Sequence, residues 1–398
     1  MPKPSSRLTL SELRGLILLA DAAIAGSSDI AEGVHRKVWD TLGAPPGKEA
    51  GRTRGVTGLA YQSVRGISRL LAQGANHVLR ALEGQQAASA APPRRTRLLA
   101  ALNGVVGDRL AAEANPLATR MALYRAPDEA AEAPLAAAGK VLLLIHGLCM
   151  SEYAWQGAGE ESVDYAALLA GIGYAPLYLR YNSGRHISHN GRELAALLEK
   201  ALADRPGLAL SVVAHSMGGL VLRSACHYAR QAGMRWPERL QHMVFLGTPH
   251  HGAPLEQAGN YLEAVLGKVP HAAPWARLAR LRSAGITDLH EGRLLDEDWQ
   301  GWARFHHHRD THAVLPLPEG VACFAVAAVV TAKPGTLADR LLGDGLVPLQ
   351  SALGQHRDPQ RCLQFAPQRQ AVYYGMHHMQ LLFSPEVCRQ LLAWLAPP

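Results

Sequence analysis

A serine set among small residues is the strongest candidate for chemistry in this sequence. Residues 212–219 read Val-Val-Ala-His-Ser-Met-Gly-Gly, so an apolar run changes abruptly to small residues around Ser216. A serine on a sharp strand-to-helix turn exposes its hydroxyl for nucleophilic attack, and the residues two before and two after it must be small because the turn is tight. Ala214 and Gly218 meet this requirement. The pattern therefore predicts a nucleophile elbow at Ser216, with acyl transfer as its chemistry.

Two later segments contain the residue types that would activate such a serine. Asp344 lies in a Gly-Asp-Gly turn after a long apolar run, and the adjacent His377 and His378 follow another apolar segment. In acyl transfer a histidine takes the hydroxyl proton, and a carboxylate holds the imidazole in the required tautomer. Serine, aspartate and histidine occur here in one of the chain orders known for this triad. We therefore predict a triad of Ser216, Asp344 and one of the two histidines.

Two backbone N–H groups are expected to bind the oxyanion that forms when the serine attacks a carbonyl. One belongs to Met217, the residue after the nucleophile, and the other usually comes from the loop after the first buried strand. A His-Gly-Leu loop follows the apolar segment Val141–Ile145, so Leu148 is the second candidate. Cys149, the next residue, has no elbow around it, and we interpret it as a small buried apolar residue.

Short apolar runs alternating with helical patterns predict the framework that would position these residues. Strands separated by helices form a doubly wound, mostly parallel sheet. A helix ending at Ala203 is expected to start near Asn190, because Asn190 and Glu193 have the spacing of a capping box. The predicted strands are Met121–Arg125, Val141–Ile145, Ala175–Leu179, Leu210–Ala214, Met243–Leu246, Cys323–Val329 and Ala371–Tyr374.

The motifs resemble those of a known group of enzymes over about residues 138–398. They look like the motifs of bacterial triacylglycerol lipases and of the lipase-like domain of GPI inositol-deacylases, both serine esterases of the α/β-hydrolase fold. The resemblance implies that His378 is the catalytic histidine, because Leu381 and Leu382 follow it in the His-x-x-Leu-Leu setting common in the family. The segments that carry it are 146–148, 214–219, 247–252, 343–348 and 378–382.

The family pattern also suggests how the chain is divided. We expect a helical N-terminal region over residues 1–120 and an α/β-hydrolase domain over 121–398, with an insertion at about 253–318 that caps the acyl pocket. Four of the histidines in this insertion form a cluster, at positions 306, 307, 308 and 312. Consecutive histidines cannot all point one way, so we interpret them as a solvated loop and predict no metal site.

Composition restricts the cellular setting. The 398 residues are 48% hydrophobic and 18% charged, which is typical of a folded globular chain. Five widely spaced cysteines form neither a disulfide framework nor a zinc-binding pattern, which favours a reducing compartment. No run of apolar residues is long enough for a transmembrane helix, and none resembles a signal peptide. We therefore expect a cytoplasmic protein, with a peripheral membrane position as the alternative.

The basic surplus is concentrated near the N-terminus. Residues 1–140 contain 18 Lys and Arg against 12 Asp and Glu. An amphipathic helix in this region carries Arg54, Arg65 and Arg69, which could contact an anionic membrane or an acidic protein. The simpler interpretation is that these helices pack on the hydrolase domain with the arginines solvated. Nucleic-acid binding is not expected, because aromatic residues are few and no recognition motif is present.

The sequence therefore predicts an enzyme that cleaves carboxylic esters without a cofactor. Its nucleophile would be Ser216, its base His378, its orienting acid Asp344, and its oxyanion hole the N–H groups of Leu148 and Met217. The substrate would be a small-molecule or lipid ester. Two alternatives remain open: an amidase or acyltransferase on the same fold, and a non-catalytic binding protein.

Overall fold

Eight strands form a single sheet. The middle strands of this sheet are buried because they consist of runs of apolar residues. Val141, Leu142, Leu143, Leu144 and Ile145 have no exposed surface, so both faces of their strand are covered. The strands are β1 Ala122–Ala126, β2 Glu129–Ala130, β3 Lys140–Ile145, β4 Tyr174–Arg180, β5 Ala209–His215, β6 Leu240–Leu246, β7 Ala322–Val329 and β8 Gln370–Tyr374.

The order of strands across the sheet is β2-β1-β4-β3-β5-β6-β7-β8. β1 is antiparallel to β2 and to β4, and the remaining pairs are parallel. Ile145 pairs with Ala214, and Leu246 pairs with both His215 and Val326. The carboxyl ends of the parallel strands therefore lie at one edge of the sheet, where open α/β sheets bind their ligands. The predicted doubly wound, mostly parallel sheet is confirmed.

The structure, a computed structural model, describes residues 9–41, 55–83, 93–127, 129–130, 139–157, 162–203, 207–253, 282–302, 312, 315–332 and 343–396. The chain forms two compact units. The first comprises Met1–Ala90 and Leu110–Ala118, and the second comprises Ala91–Arg109 and Thr119–Pro398. The second unit holds the sheet. The predicted division into a helical region over 1–120 and a hydrolase domain over 121–398 stays a prediction.

Nine α-helices lie within the described residues. In the sheet unit α5 packs against α6, and the Tyr165 hydroxyl of α4 donates to the carbonyls of Leu381 and Ser384 near the C-terminus. The helices are α1 Leu10–Thr41, α2 Gly55–Glu83, α3 Pro93–Ala112, α4 Tyr165–Ala170, α5 Ile187–Leu202, α6 Met217–Gln231, α7 Ala284–Glu291, α8 Leu349–Ala352 and α9 Pro385–Leu395.

The start of α5 differs from the prediction. The helix begins at Ile187 with His186 as its N-cap residue, so Asn190 lies inside the first turn and caps nothing. Its side-chain amide instead donates to the Asn182 carbonyl at 2.9 Å, and Glu193 pairs with Arg185. The two residues that the capping-box pattern assigns to a helix start therefore bond the loop after β4 instead.

Helix α2 packs on α1 through polar pairs. The Arg65 guanidinium forms ion pairs of 2.8 Å with both Asp29 and Glu32 of α1. The sequence suggested Arg65 and Arg54 for membrane contact, and Arg54 lies outside the described residues. None of the helices within the described residues has both the length and the apolar character of a membrane span. Contact with a membrane surface stays a prediction.

Candidate active site

The chain turns sharply at Ser216, between β5 and α6. β5 ends at His215 and α6 begins at Met217, so a single residue makes the connection. Ser216 has φ 53° and ψ −125°, a strained conformation that costs a residue with a β-carbon about 1–3 kcal/mol. Its N–H donates to the Leu246 carbonyl of β6 at 2.9 Å. The backbone therefore has the geometry of a nucleophile elbow.

Glycines after the serine allow α6 to approach the sheet. A β-carbon at Gly218 would lie 2.6 Å from the carbonyl oxygen of His146 and 2.7 Å from that of Ile145. A β-carbon at Gly219 would lie 2.1 Å from Oγ1 of Thr248. Any larger side chain would push the start of α6 away from β3 and β6. The requirement for small residues inferred from the sequence thus has a definite steric origin here.

A buried hydrogen bond joins Asp344 and His378. Nδ1 of His378 lies 2.6 Å from Oδ2 of Asp344, and both side chains are 1% exposed. Oδ1 of the carboxylate accepts the backbone N–H groups of Leu346 and Val347 at 3.0 and 2.8 Å. Gly343, with φ 51°, packs so closely on the Val347 carbonyl that no β-carbon fits there. With its proton on Nδ1, the imidazole carries at Nε2 the lone pair that a general base needs.

The His378 ring lies beside the elbow. Its centroid is 4.6 Å from that of His215, the residue before Ser216. A β-carbon at Gly247 would lie 3.0 Å from Cε1 of His378, and Gly247 directly follows Leu246, whose carbonyl accepts the Ser216 N–H. The fold therefore brings the predicted serine, histidine and aspartate to the same edge of the sheet.

The two adjacent histidines occupy different environments. His377 is exposed, and its backbone N–H donates to Oε1 of Gln380 at 2.7 Å. His378 starts a short 3-10 helix in which Leu381 and Leu382 have no exposed surface. These two leucines anchor the segment that orients the His378 ring.

The N–H groups expected to bind the oxyanion follow neighbouring strands. Met217 is the first residue of α6, where backbone N–H groups have no partner within the helix and the helix dipole favours negative charge. Leu148 follows β3, which is paired with β5. Neither N–H donates to another group among the residues that the structure describes. Both donors are therefore available to a ligand at this edge.

Helix α3 supports the loop that carries Leu148, a contact that the sequence analysis did not anticipate. A β-carbon at Gly104 would lie 2.2 Å from Sγ and 2.9 Å from the backbone nitrogen of Cys149. Cys149 has φ 59°, and its N–H donates to Oγ of Ser183 at 3.0 Å. The loop is thus held between α3 and the segment after β4.

Further bonds fix α3 in place. The Asn182 side chain donates to the Gly107 carbonyl at 2.8 Å, and the Ser283 hydroxyl donates to the Gly104 carbonyl at 2.6 Å. Oδ1 of Asn103 accepts the Thr119 N–H at 2.9 Å. The sequence signal for this contact was the pair of glycines three residues apart, which places two gaps on one face of a helix.

We expect Gly104→Ala to lower kcat for a soluble ester by about 10- to 100-fold, because the added methyl displaces the backbone next to the Leu148 N–H. KM should change little, since the predicted role of that donor is to bind the oxyanion of the transition state. Steady-state kinetics and thermal unfolding of the variant measure both. Gly139→Ala is the control, because a β-carbon there meets no atom within 4 Å. An unchanged kcat in Gly104→Ala would refute a supporting role for α3.

Three buried histidines stay neutral in the folded protein. Burial lowers the pKa of His146 to about 4, and burial together with the neighbouring His378 holds the pKa of His215 well below its ordinary value. Burial and the Arg223 guanidinium do the same for the pKa of His250. His146 stacks on Tyr181 with 4.4 Å between ring centroids. These rings act as packing groups, and their protonation would place a charge inside the protein.

This burial predicts loss of stability in mild acid. In the unfolded chain a histidine binds a proton below a pKa of about 6.5, whereas His146, His215 and His250 do not bind one in the folded protein. The unfolded state therefore binds more protons in mild acid, and the free energy of unfolding decreases as the pH is lowered. Between pH 7 and pH 5 the expected loss is roughly 2 kcal/mol for each histidine. Urea unfolding at the two pH values measures it. His250→Gln should reduce the loss by roughly 2 kcal/mol, the contribution of one histidine, and a flat profile in the wild type would contradict the expectation.

The other residues that the sequence singles out have no part in the chemistry expected at Ser216. Burial raises the pKa of the Cys149 thiol to about 12, which keeps it protonated. His250 lies between Arg223 and the ring of Phe365, where its ring packs in the protein interior. Residues 306–308 of the histidine cluster lie outside the described residues. In the part of the chain that the structure describes, no group of three or more potential metal ligands comes together.

The described part of the insertion packs firmly on the sheet unit. Helix α7 is buried along its whole length, and Asp288 accepts a hydrogen bond from the Ile187 N–H at 2.9 Å. The same carboxylate lies 2.9 Å from Nδ1 of His186, whose ring stacks on Trp299. The part of the insertion that forms α7 is therefore buried in the core of the sheet unit. Its predicted role as a cap remains a prediction.

Comparisons with known proteins give the following matches. A family model described as a domain of unknown function, DUF7379, matches residues 113–274. The mature lipase BlEst2 of Bacillus licheniformis is similar over 70% of this chain and 98% of its own, at 19% identity and a TM-score of 0.42. The thioesterase RedJ from the prodiginine pathway of Streptomyces coelicolor covers 66% and 91%, at 19% identity and a TM-score of 0.36. Phospholipase PlaB from Legionella pneumophila covers 54% and 45%, at 15% identity and a TM-score of 0.32.

A comparison with curated proteins gave no match. The more specific resemblance to triacylglycerol lipases and GPI inositol-deacylases stays a prediction. The chain's own topology identifies the fold. A doubly wound and mostly parallel sheet with a strand-serine-helix elbow at its carboxyl edge, followed along the chain by an aspartate and then a histidine, is the arrangement of the α/β-hydrolases. The chain has the α/β-hydrolase fold.

Proposed function

We propose that this protein is a serine hydrolase that cleaves carboxylic esters through an acyl-enzyme intermediate. The observation that carries the proposal is the buried 2.6 Å hydrogen bond between His378 and Asp344, next to a strained elbow at Ser216. A histidine oriented by a carboxylate beside a serine is the arrangement that activates a hydroxyl nucleophile. If the histidine had a purely structural role, the strained serine elbow beside it would have no purpose.

The first step forms the acyl-enzyme. Nε2 of His378 takes the Ser216 hydroxyl proton as Oγ attacks the ester carbonyl, and Asp344 stabilises the resulting imidazolium. The N–H groups of Leu148 and Met217 bind the oxyanion of the tetrahedral intermediate. The C–O bond to the alcohol then breaks, and His378 returns the proton to the departing alkoxide.

The second step releases the acid. His378 takes a proton from water, whose oxygen attacks the acyl carbonyl, and the same N–H groups bind the new oxyanion. The bond to Ser216 Oγ breaks, the serine recovers its proton, and the carboxylic acid leaves. Every proton has a donor and an acceptor among these residues, so the chemistry proposed here needs no cofactor.

The substrate class that we propose is a small-molecule or lipid ester. A fluorophosphonate probe should label the wild-type protein, and p-nitrophenyl esters of several chain lengths should be hydrolysed faster than the matching anilides. Faster turnover of anilides would favour an amidase. Transfer of the acyl group to an added alcohol in preference to water would favour an acyltransferase. Absence of both labelling and turnover would leave a non-catalytic binding protein.

A further inference from the structure

The His146 ring holds the backbone carbonyl of the residue that follows it. Nδ1 of His146 lies 2.9 Å from the Gly147 carbonyl oxygen, in the interior of the protein. A carbonyl oxygen only accepts hydrogen bonds, so the ring donates from Nδ1. Burial lowers the pKa of His146 to about 4, so the ring is neutral at pH 7 and has a single N–H. Nε2 is buried with no hydrogen-bond partner among the described residues, and a proton there would have no acceptor.

The Gly147 carbonyl and the Leu148 N–H belong to the same peptide group. This peptide is trans, so its atoms lie close to one plane and its C=O and N–H bonds point in opposite directions. Rotation of the peptide plane needs only changes in ψ of Gly147 and φ of Leu148, and glycine tolerates such changes. A hydrogen bond that fixes the direction of the carbonyl therefore also fixes the direction of the N–H.

Neighbouring groups hold His146 itself in place. The Tyr181 hydroxyl donates to the His146 carbonyl at 2.9 Å, and the two rings stack with 4.4 Å between centroids and 18° between planes. A β-carbon at Gly218 would lie 2.6 Å from the same carbonyl oxygen. Tyr181 is 1% exposed, and His146 has no exposed surface. Both the backbone and the ring of His146 are thus fixed, which leaves the ring little freedom to release the Gly147 carbonyl.

We propose that His146 is a positioning residue for the oxyanion hole, which fixes the direction of the Leu148 N–H through the Gly147 carbonyl. A donor held in advance needs no reorientation when negative charge develops, and this is the source of its effect on rate. In this role the ring exchanges no proton with the reacting groups and acts only through the peptide. The inference rests on the proposed function, because the N–H matters only if an oxyanion forms beside Ser216.

A matched pair of substitutions isolates the hydrogen bond. His146→Asn keeps an N–H donor near the position of Nδ1, whereas His146→Leu has nearly the shape of asparagine and no donor. Both lose the stacking on Tyr181, so a difference between them reflects the donor. We expect His146→Leu to lower kcat for a soluble p-nitrophenyl ester by about 10- to 100-fold, with KM within about twofold of the wild type. His146→Asn should recover most of this loss.

A trifluoromethyl ketone gives a second readout, because its adduct with a serine carries the same oxyanion as the tetrahedral intermediate. Its inhibition constant should rise in His146→Leu by the same factor by which kcat/KM falls. In His146→Asn it should return towards the wild-type value. A role confined to packing would lower the melting temperature of both variants and give asparagine no advantage over leucine in either measurement.

Tyr181→Phe provides the same test if His146→Leu does not fold. It keeps the stacked ring and removes only the hydroxyl that holds the His146 carbonyl, so kcat should fall about fivefold with KM unchanged. Tyr174→Phe is the control, because Tyr174 starts β4 and its hydroxyl donates to the Leu395 carbonyl at 3.1 Å. This control should keep the wild-type kcat at a similar cost in stability.

The outcomes distinguish this proposal from the proposed function. A wild type with neither ester turnover nor fluorophosphonate labelling would overturn both. An active wild type whose His146→Leu variant keeps its kcat, or loses no more than His146→Asn, would overturn the positioning role alone and leave the serine-hydrolase proposal intact. If His146→Leu does not fold, an unchanged kcat in Tyr181→Phe has the same consequence.

Discussion

Ser216→Ala is expected to lower kcat for soluble esters by about 10⁴- to 10⁶-fold and to abolish fluorophosphonate labelling. The proposed reaction begins with a covalent bond to Oγ, and alanine has no atom that can replace it. The fold should survive, because alanine is smaller than serine and the elbow backbone is held by the Leu246 carbonyl. Kinetics, probe labelling and circular dichroism of the purified variant measure the three effects.

Ser211→Ala is a matched control for this experiment. It removes a hydroxyl from β5, the strand that leads to Ser216, and Ser211 Oγ lies 2.9 Å from Nδ1 of His242, away from the elbow. Labelling and kcat should stay near the wild-type values, at a stability cost of about 1 kcal/mol for the lost hydrogen bond. If Ser216→Ala kept most of its turnover while Ser211→Ala lost it, the serine-hydrolase assignment would have to be abandoned.

His378→Ala should lose about four orders of magnitude in kcat, whereas His377→Ala should stay within a fewfold of the wild type. The first change removes the proposed base, and the second removes an exposed ring that has no contact with Asp344. Comparison of kcat and KM for the two single variants decides between them. Each replaces one imidazole by the same methyl group, so each serves as the control for the other. The reverse order of damage would place the base at residue 377.

The strands were largely predictable because their signal is local. Seven of the eight strands agree with the predicted segments to within a few residues, since a run of apolar and β-branched residues specifies a buried strand wherever it lies. The missed strand, Glu129–Ala130, has two residues and no apolar run of its own. This strand forms because it pairs with β1. Pairing with another strand leaves no hydrophobic pattern in so short a segment.

The start of α5 shows where local patterns mislead. Asn190 and Glu193 have the spacing of a capping box, yet their side chains bond Asn182 and Arg185 of the preceding loop. A capping pattern describes only residues three apart. The fold added a competing set of partners from the loop after β4, and the helix gained an extra turn at its start.

Sequence by itself determined the strands, the order of serine, aspartate and histidine, and the small residues around Ser216, because each depends on neighbours along the chain. Tertiary structure decided which of two adjacent histidines meets Asp344, that Gly104 of α3 supports the loop that carries Leu148, and which face of α2 packs on α1. The physical reason is that burial and pairing depend on groups far apart in sequence. Whether a histidine becomes buried, or which face of a helix is covered, depends on where the rest of the chain packs.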